Sequence, residues 1–193
     1  MCGIHGFTWV DQTKIERMVE LSHNRGPDAN SSYKDNHISL GHNLLAITES
    51  PTVSTQPWEV NDKNVLCYNG EIYNYKELKE EIESKHQYVF QTDSDTEVVA
   101  YGLFFQGIEF IKKLDGMYTI AWYNREKKTV TLARDSSGVK PLYYNKGERG
   151  LCFSSSIKSL LSLGLDTKLD HTAFAIYTNL GYVPGPKTLI SSI

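Results

Sequence analysis

A cysteine stands directly behind the initiator methionine, in the opening MCGIHGF. Removal of Met1 would leave Cys2 with a thiol and a free α-amine on one residue. Their reference pKa values are about 8.5 and about 7.7–8.0, so a nucleophile and a base would sit side by side. The competing interpretation is structural, because free cysteines are often buried and Cys2 could simply begin a buried strand. This stretch alone leaves both interpretations open.

Three other short stretches carry residues suited to chemistry: HNRGPD at 23–28, YNGEIYN at 68–74 and TDSDTEV at 92–98. Each also has a purely structural explanation. Arg25 could form a loop ion pair, Asn69-Gly70 is typical of a turn that ends a strand, and Asp95 could cap a helix. Taken singly, none of the three identifies a site.

The composition excludes several classes of protein. A length of 193 residues suits one domain, or one domain with a tail. The net charge of −3, without a cluster of Lys or Arg, argues against a nucleic-acid partner. No apolar run approaches the roughly 18 residues of a membrane span, and no signal peptide is visible. We therefore expect no nucleic acid and no membrane among the partners.

The cysteines and histidines show no metal-binding or disulfide pattern. Cys2, Cys67 and Cys152 have no CxxC spacing, and the six histidines have no metal-ligand spacing. This usage predicts no metal, no disulfide framework and a reducing, cytoplasmic setting. We expect Cys67 and Cys152 to be buried and inert, and His5 to be a hydrogen-bonded core histidine.

The elements that must position these residues are mostly short strands with helices between them. Ser94 and Glu97 form a capping-box pattern at the start of one helix, which Gly107 should end. The pattern as a whole favours an α+β fold with antiparallel sheets. Strands are predicted over 2–10, 37–47, 65–70 (ending at Asn69-Gly70), 116–124, 128–135, 141–145 and 151–156. Helices are predicted over 13–24, 75–85, 94–105, 157–164 and 170–182. A long loop is predicted over 48–58.

MCG, RGPD, NGEIYN and the run ARDSSGVKPLYY, in this order, resemble the class II glutamine amidotransferase domain, the type with an N-terminal nucleophile. The resemblance is greatest to the glutaminase domain of asparagine synthetases and extends through FSSSIKSLL and YVPGPKTL. It implies a four-layer sandwich with two antiparallel β-sheets between helix layers. It also implies a glutaminase domain at 1–165, and at 166–193 a helix and linker toward a synthetase domain of the same longer chain.

The resemblance assigns roles to individual residues. After removal of Met1, Cys2 would attack the side-chain amide of glutamine, forming a thioester and releasing ammonia. Asn69 and Gly70 match the donors of the oxyanion hole.

The residues implied to bind glutamine are Leu45, Ile47, Asn69, Glu71 and Asp95. Glu71 and Asp95 match residues around the α-ammonium group. No cofactor is implied for this domain, and ATP and Mg²⁺ are expected only in the synthetase domain.

One position departs from the family pattern. Family members read H-x-R-L-S-I where this chain reads HNLLAI at 42–47, so the arginine expected to bind the α-carboxylate of glutamine is Leu44. Arg25 matches a different family arginine.

Three functions stay open on this evidence: an active glutaminase, a degenerate domain that binds a ligand or supports its partner without turnover, and an amidase acting on a donor other than free glutamine. The acceptor of the ammonia is also open, with aspartate and asparagine biosynthesis as the default. The oligomeric state is open as well, with a homodimer as one candidate.

Overall fold

The computed structural model describes residues 2–46 and 55–193 of the chain. Its strands form two antiparallel sheets. The first sheet has the order β2 (Ala29–Lys34), β3 (Ser39–Leu44), β1 (Gly3–Phe7), β9 (Gly150–Ser154) and β8 (Tyr143–Gly147). The second has the order β4 (Trp58–Asn61), β5 (Asn64–Ile72), β6 (Gly116–Asn124) and β7 (Thr129–Arg134).

Helices cover the outer faces of both sheets. The helices are α1 (Gln12–Leu21), α2 (Tyr75–His86), α3 (Asp95–Gln106), α4 (Ile157–Leu161) and α5 (His171–Leu180). Helices α1 and α4 pack on the first sheet, α3 packs on the second sheet, and α2 packs against α3. This arrangement of helix, sheet, sheet and helix confirms the predicted α+β four-layer sandwich.

Alternation along the strands explains the layers. In β1, Ile4 joins the core between the two sheets, while Phe7 joins the core under α1 and α4. In β5, Val65 and Cys67 face the first sheet, while Leu66 and Tyr68 face the helices. Successive side chains of a strand point to opposite faces, so strands covered on both faces are apolar throughout.

The predicted helices are confirmed, with one correction at α3. Ser94 caps this helix as expected, because its Oγ accepts a hydrogen bond from the backbone N–H of Thr96 at 3.1 Å. The capping box is wrong, however. Glu97 is buried and accepts bonds from the backbone N–H groups of Gln91 and Thr92, so it supports the preceding loop instead. Gly107 ends α3 with a φ of 69°, as predicted.

The prediction that a strand ends at Asn69-Gly70 is wrong. Strand β5 continues to Ile72, and its pairing with β6 runs without interruption through Asn69 opposite Thr119 and Gly70 opposite Tyr118. Because β6 runs alongside β5 as far as Ile72, the chain stays extended through Asn69 and Gly70 and does not turn. Strands β2 and β4, both at sheet edges, were also not predicted.

The segment after α4 contains α5 and a return toward the first sheet. Leu169 pairs with Ile190 in an isolated bridge, and Asn145 on β8 donates to the carbonyl of Ser192 at 2.7 Å. Phe174 and Tyr177 on α5 are exposed. Within the described ranges, no helix combines the length and the apolar character needed to cross a membrane.

Candidate active site

Cys2 lies at the end of the first sheet, one residue before β1. The backbone N–H of Leu45 donates to its Sγ at 3.4 Å. Strand β1 pairs with β3 through Gly3 opposite Asn43, so the next opposed positions along the ladder are Cys2 and Leu44. Main-chain geometry therefore holds the thiol at the rim of the sheet, where Cys2 is partly exposed.

The other two thiols are buried in the sheets. Burial raises the pKa of Cys67, and it raises the pKa of Cys152 to about 11. Both are thus poor nucleophiles, as predicted, and Cys2 is the thiol that solvent reaches.

A buried polar network supports Cys2 from the helix side of β1. Asn43 donates through Nδ2 to the carbonyl of Val19, which turns its Oδ1 toward His5. Nε2 of His5 donates to that Oδ1 at 2.8 Å, and Nδ1 accepts from the hydroxyl of Ser154 at 2.8 Å. Burial lowers the pKa of His5 to about 4, so the ring is neutral at pH 7. His5 is the hydrogen-bonded core histidine that was expected.

The glycine behind Cys2 makes room for this network. A Cβ at Gly3 would lie 3.2 Å from His5 Nε2 and 3.3 Å from Asn43 Oδ1. These distances are tight, and both neighbours are held by hydrogen bonds. Packing beside Cys2 therefore explains the glycine of the Cys-Gly pair at the start of the sequence.

Arg25 reaches Cys2 from a short 3₁₀ turn, His23–Arg25, that follows α1. Its Nε donates to the carbonyl oxygen of Cys2 at 3.2 Å. The adjoining loop is tied to β3, because the N–H of Asp28 donates to Leu44 O and the N–H of Ala46 donates to Asp28 Oδ2. From the sequence, Arg25 was interpreted either as part of a loop ion pair or as the match of a family arginine in RGPD. The structure shows no ion pair of Arg25 among the described residues and places its side chain on the main chain of Cys2.

Asn69 and Gly70 lie on β5, which packs against β1 across the space between the sheets. By the alternation of β5, Asn69 shares the face of Val65 and Cys67, which is turned toward the sheet of Cys2. Asn69 is buried, and its Nδ2 has no hydrogen-bond partner. A Cβ at Gly70 would lie 2.6 Å from both Met117 O and the Tyr68 ring, so only glycine fits there.

Two carboxylates lie next to this stretch. Asp95, at the start of α3, accepts hydrogen bonds through Oδ2 from the Tyr68 hydroxyl at 2.6 Å and from the N–H of Ile72 at 2.9 Å. Burial raises the pKa of Asp95, and the charge of Glu71 raises it further. Burial, Asp95, Glu71 and Cys2 together raise the pKa of Tyr68 well above its ordinary value. Tyr68, whose hydroxyl is held by Asp95, was not among the site residues predicted from sequence.

The Asn69 amide is one of few buried polar groups without a partner. In the described parts of the chain there are four such atoms, on Trp9, Arg25, His42 and Asn69. An unpaired buried polar group costs about 1–3 kcal/mol and is rare in native proteins, so Asn69 Nδ2 marks a place that can receive a ligand.

Leu44 is buried, with 5% of its surface exposed. By alternation with Leu40, which belongs to the core between the sheets, its side chain is turned to the same face as Ile4. The side chain of Leu45 is partly buried, and its main chain contacts the thiol. Ile47, the remaining residue expected to bind glutamine, lies outside the described residues. Residues 2–46 and 55–193 contain no cluster of His, Cys, Asp or Glu that could hold a metal ion.

Known proteins share this sequence pattern. A family profile described as a glutamine amidotransferase domain matches residues 1–193. The chain is 35% identical over 198 residues to asparagine synthetase (glutamine-hydrolysing) 1 of Bacillus subtilis, covering 98% of this chain and 31% of that protein. It is 40% identical over 168 residues to asparagine synthetase (glutamine-hydrolysing) of Zea mays, covering 83% of this chain and 28% of that protein.

The fold is shared with solved amidotransferase structures. Glutamine phosphoribosylpyrophosphate amidotransferase from B. subtilis superimposes with a TM-score of 0.69 at 21% identity, over 84% of this chain and 44% of that one. The chain spans less than a third of the length of the two asparagine synthetases above. It shares the fold of this amidotransferase, belongs to the glutamine amidotransferase domain family, and is similar to about a third of a glutamine-hydrolysing asparagine synthetase.

Proposed function

We propose that this chain hydrolyses the side-chain amide of glutamine to glutamate and ammonia at Cys2. The observation that carries the proposal is the Asn69 amide, which is buried without a partner on the face of β5 turned toward the sheet of Cys2. A donor held in this way is matched to a negative charge that exists only during a reaction.

The reaction begins once Met1 has been removed. The α-amine of Cys2 takes the thiol proton, and Sγ forms a bond to the carboxamide carbon, whose oxygen becomes negative. The carbon–nitrogen bond then breaks, and the amine returns the proton to the leaving group as ammonia. Water adds to the resulting thioester, the carbon–sulfur bond breaks, and glutamate leaves with the thiol restored.

The oxyanion of both tetrahedral intermediates needs donors that are already in place. Nδ2 of Asn69 and the backbone N–H of Gly70 supply them in this proposal. Removal of one such donor typically lowers kcat by about 10²–10³. The absence of a Cβ at Gly70 lets β5 stay paired with β6 here without displacing Tyr68.

Glu71 and Asp95 bind the α-ammonium group of the donor. Neither carboxylate is paired with a lysine or an arginine among the residues that the structure describes. Two uncompensated acids beside a nucleophile are suited to a cation supplied by the substrate. Arg25 acts as a positioning residue, because its bond to the carbonyl of Cys2 fixes the main chain next to the thiol.

The ammonia serves an ATP-dependent synthetase domain in the same longer chain. The support is that the asparagine synthetases matched here are about three times as long as the stretch they share with this chain. ATP and Mg²⁺ belong to that domain, and this one needs neither. Aspartate is the acceptor that the names of these relatives favour. The free thiols suit a reducing compartment, and we place the reaction in the cytoplasm.

The test is release of glutamate from glutamine by the purified chain, with its N-terminus established by mass spectrometry. We expect release that disappears in Cys2→Ala, together with labelling of Cys2 by a glutamine analogue that carries an electrophile. A chain that has lost Met1 and neither releases glutamate nor reacts with the analogue would overturn the proposal. That result would instead favour a degenerate binding domain, the function that the substitution at Leu44 also allows.

A further inference from the structure

The charges around Cys2 are distributed unevenly. Glu71 and Asp95 stand on the side of β5 and α3, and both act electrostatically on Tyr68. On the side of β3, the position opposite Cys2 in the strand register is Leu44, a buried apolar residue. Among the described residues, the site therefore has groups that attract the ammonium end of an amino acid and, beside the thiol, an apolar side chain.

Arg25 does not compensate for this apolar side chain. Its Nε is engaged by the carbonyl of Cys2. Its guanidinium acts electrostatically on His5, whose side chain lies on the helix side of β1 with Asn43 and Ser154. Asn69 and Leu44 belong to the opposite side, between the sheets. A donor whose amide reaches Asn69 therefore lies on the face of the first sheet that carries Leu44, and the Arg25 side chain lies on the other face.

We infer that this site recognises its donor by the ammonium group and the side-chain amide, and that it does not require a free α-carboxylate. This inference rests on the proposed function, and it names the class of donor. The class is primary carboxamides with an ammonium group at the spacing found in glutamine, whether the α-carboxylate is free, amidated or absent.

Physical reasoning gives the direction of the preference. A carboxylate that leaves water for a place beside Leu44 loses hydration and gains no charge-assisted bond. It also lies in the field of Glu71 and Asp95, which repels it. A site with a carboxylate-binding arginine would favour glutamine over a donor without the carboxylate by about tenfold to a hundredfold. This chain should show no such preference.

The test compares three donors on the unaltered chain: L-glutamine, L-glutamine α-amide and 4-aminobutanamide. Hydrolysis of the side-chain amide gives glutamate, glutamate α-amide and 4-aminobutanoate respectively, which chromatography separates. We expect kcat/KM for the two donors without a free carboxylate to equal or exceed that for glutamine. A preference for glutamine of tenfold or more would overturn the inference and leave the proposed function standing. Absence of any Cys2-dependent product from all three would overturn both.

Substitution of Leu44 provides the second arm. Leu44→Arg should shift the ratio of kcat/KM values by about tenfold to a hundredfold toward glutamine. Val10→Arg is the matched control, since Val10 is exposed beyond the end of β1 that is remote from Cys2, and it should leave the ratio unchanged. If thermal unfolding shows that Leu44→Arg does not fold, Leu44→Lys replaces it in the comparison of kcat/KM ratios. An unchanged ratio in a folded Leu44→Arg or Leu44→Lys chain would contradict the inference, and the donor comparison decides it even if neither variant folds.

Discussion

The two faces of β1, the strand that follows Cys2, differ in whether the buried polar groups beside them have hydrogen-bond partners. On the helix side, His5, Asn43 and Ser154 satisfy one another in a closed hydrogen-bonded network. On the side facing β5, the Asn69 amide is buried without a partner. The first side supports the nucleophile and should contribute stability. In the proposed reaction, the second holds a donor for a charge that appears only during catalysis, so it should contribute rate at the expense of stability.

The largest expected effect lies on the reactive side. Asn69→Ala should lower kcat by about 10²–10³, because the oxyanion loses a donor, and it should lower the free energy of unfolding less than the loss of a hydrogen-bonded amide would, because Nδ2 has no partner. Steady-state kinetics and urea unfolding measure the two quantities. Asn64→Ala, a buried asparagine at the other end of β5, is the control and should keep kcat. An Asn69→Ala chain with normal kcat would show that Asn69 does not stabilise the oxyanion.

The supporting side should respond in the opposite way. His5→Ala leaves Asn43 Oδ1 and the Ser154 hydroxyl without their partner in a buried place. The free energy of unfolding should fall by about 2–4 kcal/mol, from the unpaired groups together with the cavity. Urea unfolding at pH 7 checks this value. A loss below about 1 kcal/mol would mean that the network adds little support.

The same histidine makes the support sensitive to acid. Its pKa is about 4 in the folded chain, against 6.5 for an unperturbed histidine. Between these values the unfolded chain binds more protons, so stability falls as the pH drops from 6.5 toward 4 and is unaffected by this residue above 6.5. The loss is about 3 kcal/mol. His5→Gln should flatten this part of the pH profile of unfolding, and an equally steep profile in the variant would assign the slope to other groups.

The smallest expected effect concerns the pH dependence of kcat/KM, through the pKa of Asp95. Asp95 must be ionised to bind an ammonium group, so kcat/KM should fall as the pH drops through its pKa, which burial places above the ordinary 3.8. The hydrogen bond from Tyr68 lowers that pKa. Tyr68→Phe should therefore move the acid limb of the profile to higher pH. A limb that stays in place, or moves to lower pH, would show that Asp95 does not control it.

The elements that can be predicted from sequence are those set by local rules. Ser94 caps α3 and Gly107 ends it, because capping and left-handed backbone depend on adjacent residues. Strands β2 and β4 were not predicted, because an edge strand needs little apolar alternation when one neighbour supplies its hydrogen bonds. The strand was predicted to end at Asn69-Gly70, because Asn-Gly is a local turn signal and the partner strand β6 lies almost fifty residues further along the chain.

For the candidate site, the order and type of the residues are present in the sequence. MCG, RGPD and NGE resemble the family to which the chain belongs, and the roles proposed for Cys2 and Asn69 come from that resemblance. The tertiary structure decided how these groups meet: Arg25 on the carbonyl of Cys2, the unpaired amide of Asn69, and Leu44 opposite the nucleophile. The reason is physical. Residue types follow from the chain alone, whereas burial, unsatisfied donors and the sign of the local field arise only when strands distant in sequence pack face to face.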